Sequence, residues 1–123
     1  MAADIKARLD SIRPVDRQGK VSREEKGLMG RTVLKDFIMV LSAATVQIFV
    51  KTVNEKPKLD ILLADVSVAK ETLVRDKAAF ALVAGTEFHP FICKDRAEME
   101  AWIAAINTNM ERLKLQAQLR KVQ

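Results

Sequence analysis

The chain has 123 residues, 49% hydrophobic and 30% charged, with a formal net charge of +5 and one cysteine. This length supports one domain built on one core and excludes two; the apolar share excludes a disordered chain, and the lone cysteine excludes an internal disulfide. Together with charged opening residues (Asp4, Lys6, Arg8, Asp10) and no apolar run of bilayer length, this predicts a cytoplasmic protein without a leader or membrane span.

In chain order, Ile5, Leu9 and Ile12 form a short amphipathic stripe ended by Pro14, so residues 1–17 are expected to be an N-terminal arm or short helix. Gly19-Lys20-Val21-Ser22-Arg23 opens the first strand, and Glu24 to Arg31, with Gly27 and Gly30, reads as a turn-like loop with basic flanks. Phe37 to Leu41 and Thr45 to Val53 read as strands joined by a Ser42-Ala43-Ala44 hairpin connection. Asn54 to Lys58 is a loop carrying Pro57, followed by short strands at Leu59–Leu63 and Val66–Ala69. The charged stretch Lys70 to Lys77 is expected to be a connection, and Ala78–Ala84 and Glu87–Cys93 a hairpin turning at Gly85-Thr86.

The closing segment changes period. Met99, Trp102, Ile103, Ile106, Met110, Leu113 and Ala117 recur at helical steps on one face. Asp95 and Glu98 supply an acidic capping box, which starts the helix near Arg96. Run to about residue 120, such a helix is ~37 Å long, against a radius of gyration of ~13 Å for a globule of this size. Its last turns are therefore expected to overhang, giving a domain over residues 18–110 and a helical C-terminal extension over 111–123. Seven short strands followed by one helix predict a mainly β fold, a small seven-stranded barrel or orthogonal sandwich capped by the helix with Trp102 at its centre.

This pattern resembles a pleckstrin-homology domain over roughly residues 18–110. The residues that carry the resemblance are Gly19 to Arg23, Phe37 to Ser42, Ala79 to Val83, Phe91 to Asp95, and above all Glu98 to Ile106 with Trp102, an apolar residue and Ala105-Ile106. The same barrel-plus-helix outline fits phosphotyrosine-binding domains. The pleckstrin-homology resemblance implies phosphoinositide or anionic phospholipid binding by basic residues in and around the first loop, here Lys20, Arg23, Lys26, Arg31 and Lys35. Several converging charge-assisted donors are what a multiply charged phosphate needs. Strong binders carry a basic residue, any residue, then arginine on the second strand; this chain has Lys35-Asp36-Phe37, which implies weak membrane attraction rather than stereospecific recognition.

Two apolar features suggest further contacts. Leu28 and Met29 sit between Gly27 and Gly30, where they either insert into the lipid interface or extend a strand and face the core. Leu113, Leu115 and Leu119, beside Arg112, Lys114 and Arg120, make the C-terminal extension either a surface for a protein partner or self-association, or a solvated tail.

The charge is uneven: residues 1–35 hold nine Lys/Arg against five Asp/Glu, and residues 36–95 hold seven against eight. That excess fits an anionic membrane or an ordinary solvated surface. The absence of tyrosine, and of a basic recognition helix, argues against nucleic acid. His89 and Cys93 are four residues apart in a strand, ~13 Å, too far for a nucleophile and its base. Cys93 reads as a small core residue and His89 as a surface or boundary one. No clustered metal ligands or nucleotide-binding glycines appear. The expectation is a non-catalytic binding module with no cofactor and no metal.

Overall fold

The computed structural model describes residues 1–122; Gln123, the last residue of the expected 111–123 extension, lies outside the described residues. Helix α1 (Ala2–Ser11) leads into seven strands, β1 (Arg17–Lys26), β2 (Thr32–Leu41), β3 (Thr45–Phe49), β4 (Leu59–Leu62), β5 (Val66–Val74), β6 (Lys77–Ala84) and β7 (Glu87–Ile92), and helix α2 (Arg96–Val122) closes the chain. All neighbouring strands run antiparallel, in the order β4-β3-β2-β1-β7-β6-β5. The expected seven strands and capping helix are therefore present, in one continuous sheet. The sheet is not closed into a barrel: β4 and β5 stand at opposite ends of the order without pairing to each other.

The sheet turns its corner at β1. This strand pairs with β2 along its whole length, from Arg17 opposite Leu41 to Lys26 opposite Thr32, but meets β7 only where Ser22 lies opposite Ile92. Two-residue alternation then fixes its faces. Val21 points into the core with Phe37, Met39 and Leu41 of β2, while Lys20, Ser22 and Asp36 point outward.

Several local expectations shift. The charge-rich run from Glu24 to Lys26 continues β1 instead of starting the loop, β3 stops at Phe49, and Lys70 to Val74 belongs to β5, which turns at Arg75 and Asp76 in left-handed backbone. The Ser42 and Gly85 hairpins stand as read, with Gly85 at φ 63° supplying the positive φ of its turn.

Helix α2 starts where its cap predicts: the Glu98 amide donates to Asp95 Oδ1 at 2.9 Å. The reciprocal half of the box is absent, because the Glu98 carboxylate instead accepts from Arg17 at 2.7 Å. Trp102 is fully buried, with Phe80 stacked at 6.3 Å and the Arg17 guanidinium 4.8 Å from its ring. Gly19 makes room for it; a Cβ there would lie 3.2 Å from Trp102 Cζ2.

The distal half of α2 does not hang free. Helix α1 packs along it, tied by an Arg8–Glu111 ion pair at 2.9 Å and by the Arg112 Nε–H donating to the Ile12 carbonyl at 3.1 Å. Leu115, in this distal half, is 1% exposed. Asn109 is the buried polar residue of α2. Its Oδ1 accepts from the Val15 amide at 2.7 Å, and its Nδ2 donates to the carbonyls of Val15 and Ser42, both at 2.8 Å. One side chain thus joins the linker before β1, the β2–β3 hairpin and the capping helix.

Candidate anion-binding site

The five basic residues singled out in the sequence divide between two faces. Arg23 and Lys35 are opposite each other in the β1–β2 register, on the face that carries Val21 and Phe37, at the mouth of the curved sheet. Arg23 holds its guanidinium 5.7 Å from the Phe91 ring, which fixes its direction. Lys20 faces the other way and is paired with Asp36 at 3.0 Å, while Asp36 also accepts from Ser22 at 2.6 Å. Lys26 and Arg31 flank the loop itself, with Lys26 opposite Thr32 on the outward parity of β1.

A sixth cation completes the mouth and was missed by the sequence reading. Lys58, in the loop before β4, reaches over the Phe37 ring at 5.1 Å and pairs with Glu25 of β1. Three cations from β1, β2 and the β3–β4 loop therefore surround one carboxylate. The Lys58 hydrogen bond, with further attraction from Arg23 and Lys35, holds the Glu25 carboxyl below its usual range against the opposing effect of burial. On the outer face, hydrogen bonds from Ser22 and Lys20 do the same for Asp36.

Above this mouth the β1–β2 loop makes a tight tip. Leu28 to Gly30 form a single 3-10 turn, with Met29 at φ 62° and Gly30 at φ 75°. Leu28 is 92% and Met29 98% exposed, so the core-facing alternative for this pair is overturned. Gly27 and Arg31 are joined by a backbone hydrogen bond across the loop base, which turns the two side chains outward together.

Elsewhere, a cleft of about 750 Å³ opens where β1 and β7 splay apart, lined by Arg17, Lys20, Lys77, Lys94, Asp36 and Glu98 among others. Its Arg17 and Lys20 are already neutralised by Glu98 and Asp36. Of the three leucines of the extension, Leu115 is buried, and Leu113 and Leu119 are half-buried, Leu113 against the core. Cys93 is buried and its thiol is pushed up to about 11 by desolvation, assisted by Glu98. His89 is half-buried and contacts Glu87 at 2.9 Å. Among the described residues, no cluster of three or more His, Cys, Asp or Glu offers a metal site, and no helix is long and apolar enough to cross a membrane.

The arrangement of strands and helix is that of a pleckstrin-homology fold. The chain superposes on the PH domain of human oxysterol binding protein-related protein 11 with a TM-score of 0.64 at 18% identity, covering 80% of this chain and 82% of that one. The N-terminal PH domain of human ARAP2 gives 0.60 at 14% identity, covering 78% and 79%. The Slm1 PH domain, solved in complex with inositol-4-phosphate, gives 0.58 at 16% identity, covering 76% and 93%. No family model matches the sequence, and no curated protein matches it. The likeness is one of fold.

Proposed function

We propose that this chain is a non-catalytic module that brings its protein to anionic membranes, binding phospholipid or phosphoinositide headgroups weakly through the mouth and loop of β1 and β2. The observation that carries the reading is the union of two features at one end of the molecule: the Arg23, Lys35 and Lys58 cluster, and a loop tip whose Leu28 and Met29 side chains are almost fully exposed. Met29 adds weight. A left-handed backbone position favours glycine or asparagine, and a large apolar residue there costs stability without packing against anything. Lipid contact supplies the missing partner. Lys26 and Arg31 flank the tip at headgroup level, each contributing ~1 kcal/mol near an anionic surface. The Slm1 complex with inositol-4-phosphate supports an inositol phosphate as the headgroup class. The proposed setting is cytoplasmic and peripheral to the membrane.

The test is quantitative titration with vesicles of phosphatidylcholine alone and with added anionic lipid, at several salt concentrations. Binding is expected only with the anionic lipid, weakening as salt rises. A Leu28→Ser/Met29→Ser variant is expected to bind less with an unchanged melting temperature. Salt-insensitive binding, or equal binding by this variant, would refute the reading.

A protein-interaction role for the C-terminal helix is the second reading, narrowed by the burial of Leu115. It is supported by a shallow groove lined by Leu63, Val66, Met110, Leu113, Ala117 and Arg120. Leu113→Glu and Leu119→Glu are the variants that test it, with self-association or partner capture as readout.

A further inference from the structure

Glu25 is the unexpected member of the basic mouth. It lies two residues beyond Arg23 on the same face of β1, opposite Val33, with its side chain only 20% exposed. Its carboxylate takes the Lys58 ammonium, which would otherwise point its charge into the mouth from above the Phe37 ring. Arg23 and Lys35 act on the same carboxylate through space. A carboxylate so placed does what a headgroup phosphate oxygen would do: it accepts charge-assisted hydrogen bonds from the site's own cations.

We infer that Glu25 is an internal occupant of the anion site, which a headgroup must displace from Lys58 to fill the mouth, so that the affinity of the mouth for multiply charged headgroups is held down. This rests on the membrane reading above. The physical reason is an exchange. A headgroup with one negative charge offers Lys58 an ion pair in place of the one it already has, and gains little. A headgroup with two or more phosphates bridges Arg23 and Lys35 with one group while drawing Lys58 with another, and so bears the full cost of breaking the Glu25–Lys58 pair and the stronger repulsion from the carboxylate. Glu25 thereby weakens the site most for the ligand of highest charge.

Glu25→Gln removes the charge while keeping the side-chain length and an oxygen that still accepts from Lys58, so the tether between β1 and the β3–β4 loop is retained. Glu24→Gln is the control: it makes the same change in net charge on the outward face, where Glu24 contacts Arg75 at 3.7 Å. Both variants and the parent chain are titrated with phosphatidylcholine vesicles carrying either phosphatidylserine or a bisphosphorylated phosphoinositide. Glu25→Gln is expected to raise affinity for the phosphoinositide vesicles about tenfold, with a smaller gain for phosphatidylserine, so that discrimination between them widens. Glu24→Gln is expected to leave that discrimination unchanged. If Glu25→Gln leaves both affinities unchanged, or changes both by one factor as Glu24→Gln does, the inference is overturned while the membrane reading stands. Failure of the parent and both variants to bind either vesicle overturns the two together.

Discussion

Replacing Asn109 with alanine is expected to cost about 3 kcal/mol of folding stability. The substitution leaves the Val15 amide and the carbonyls of Val15 and Ser42 without their side-chain partner, in a place where Asn109 itself is fully buried. Each buried polar group stripped of its partner costs about 1 kcal/mol or more. For a chain of this length the loss corresponds to a fall of about 10 °C in melting temperature, measurable by circular dichroism or calorimetry. Hydrogen exchange gives a local check: the Val15 amide is expected to lose its protection in the variant ahead of the β1–β2 ladder. Asn109→Asp sharpens the case. It keeps an acceptor for Val15 but cannot donate to either carbonyl once ionised, and burial beside them raises its pKa above the ordinary ~3.9. Its penalty is therefore smallest below that value and grows as pH rises toward neutrality. A melting temperature within about 2 °C of the parent for Asn109→Ala would show that the clamp contributes nothing.

Three other outcomes are expected. Gly19→Ala puts a methyl 3.2 Å from the immobile Trp102 ring and is expected to lower stability by about 1–2 kcal/mol in urea titration. Met29→Gly relieves a left-handed non-glycine residue and is expected to hold or raise the melting temperature while weakening anionic-vesicle binding; a loss of stability would count against the tip geometry. The Cys93 thiol, raised from 9.0 to about 11, is expected to resist thiol reagents in the folded chain at pH 8 and to react on unfolding. Because the folded value is the higher one, its contribution to stability is present below pH 9 and is lost as pH climbs toward 11, and a Cys93→Ala chain should lack that step.

The closing helix was legible because its apolar period and its Asp95 cap are both local signals, and each recurs in the structure. The second half of β5 was not, because Lys70 and Glu71 read as loop residues; they are tolerated in an end strand where Lys70 lies 5.9 Å from the Phe88 ring and Glu71 pairs with Arg96 at 3.0 Å. Whether the strands close was equally invisible, since that depends on registers between segments far apart in sequence. Asn109 was passed over because a polar residue interrupts a hydrophobic stripe, and its partners are 94 and 67 positions away. At the candidate site, the faces on which the basic residues lie went unread. The odd spacing between Lys20 and Arg23 already implied opposite faces of a strand, whereas Lys58 arrives from a loop whose path no periodicity describes.

The uninterrupted ladder of β1 has a mechanical consequence. Its ten residues run from the Arg17–Glu98 contact beside α2 to the base of the exposed tip, a rigid strut of ~33 Å. With Met29 resting in a lipid interface, the paired helices would stand about that far above the bilayer plane. A fluorophore on the exposed face of α1 would then sit within energy-transfer range of labelled lipids without touching them, and its efficiency would report the docking angle of the whole molecule.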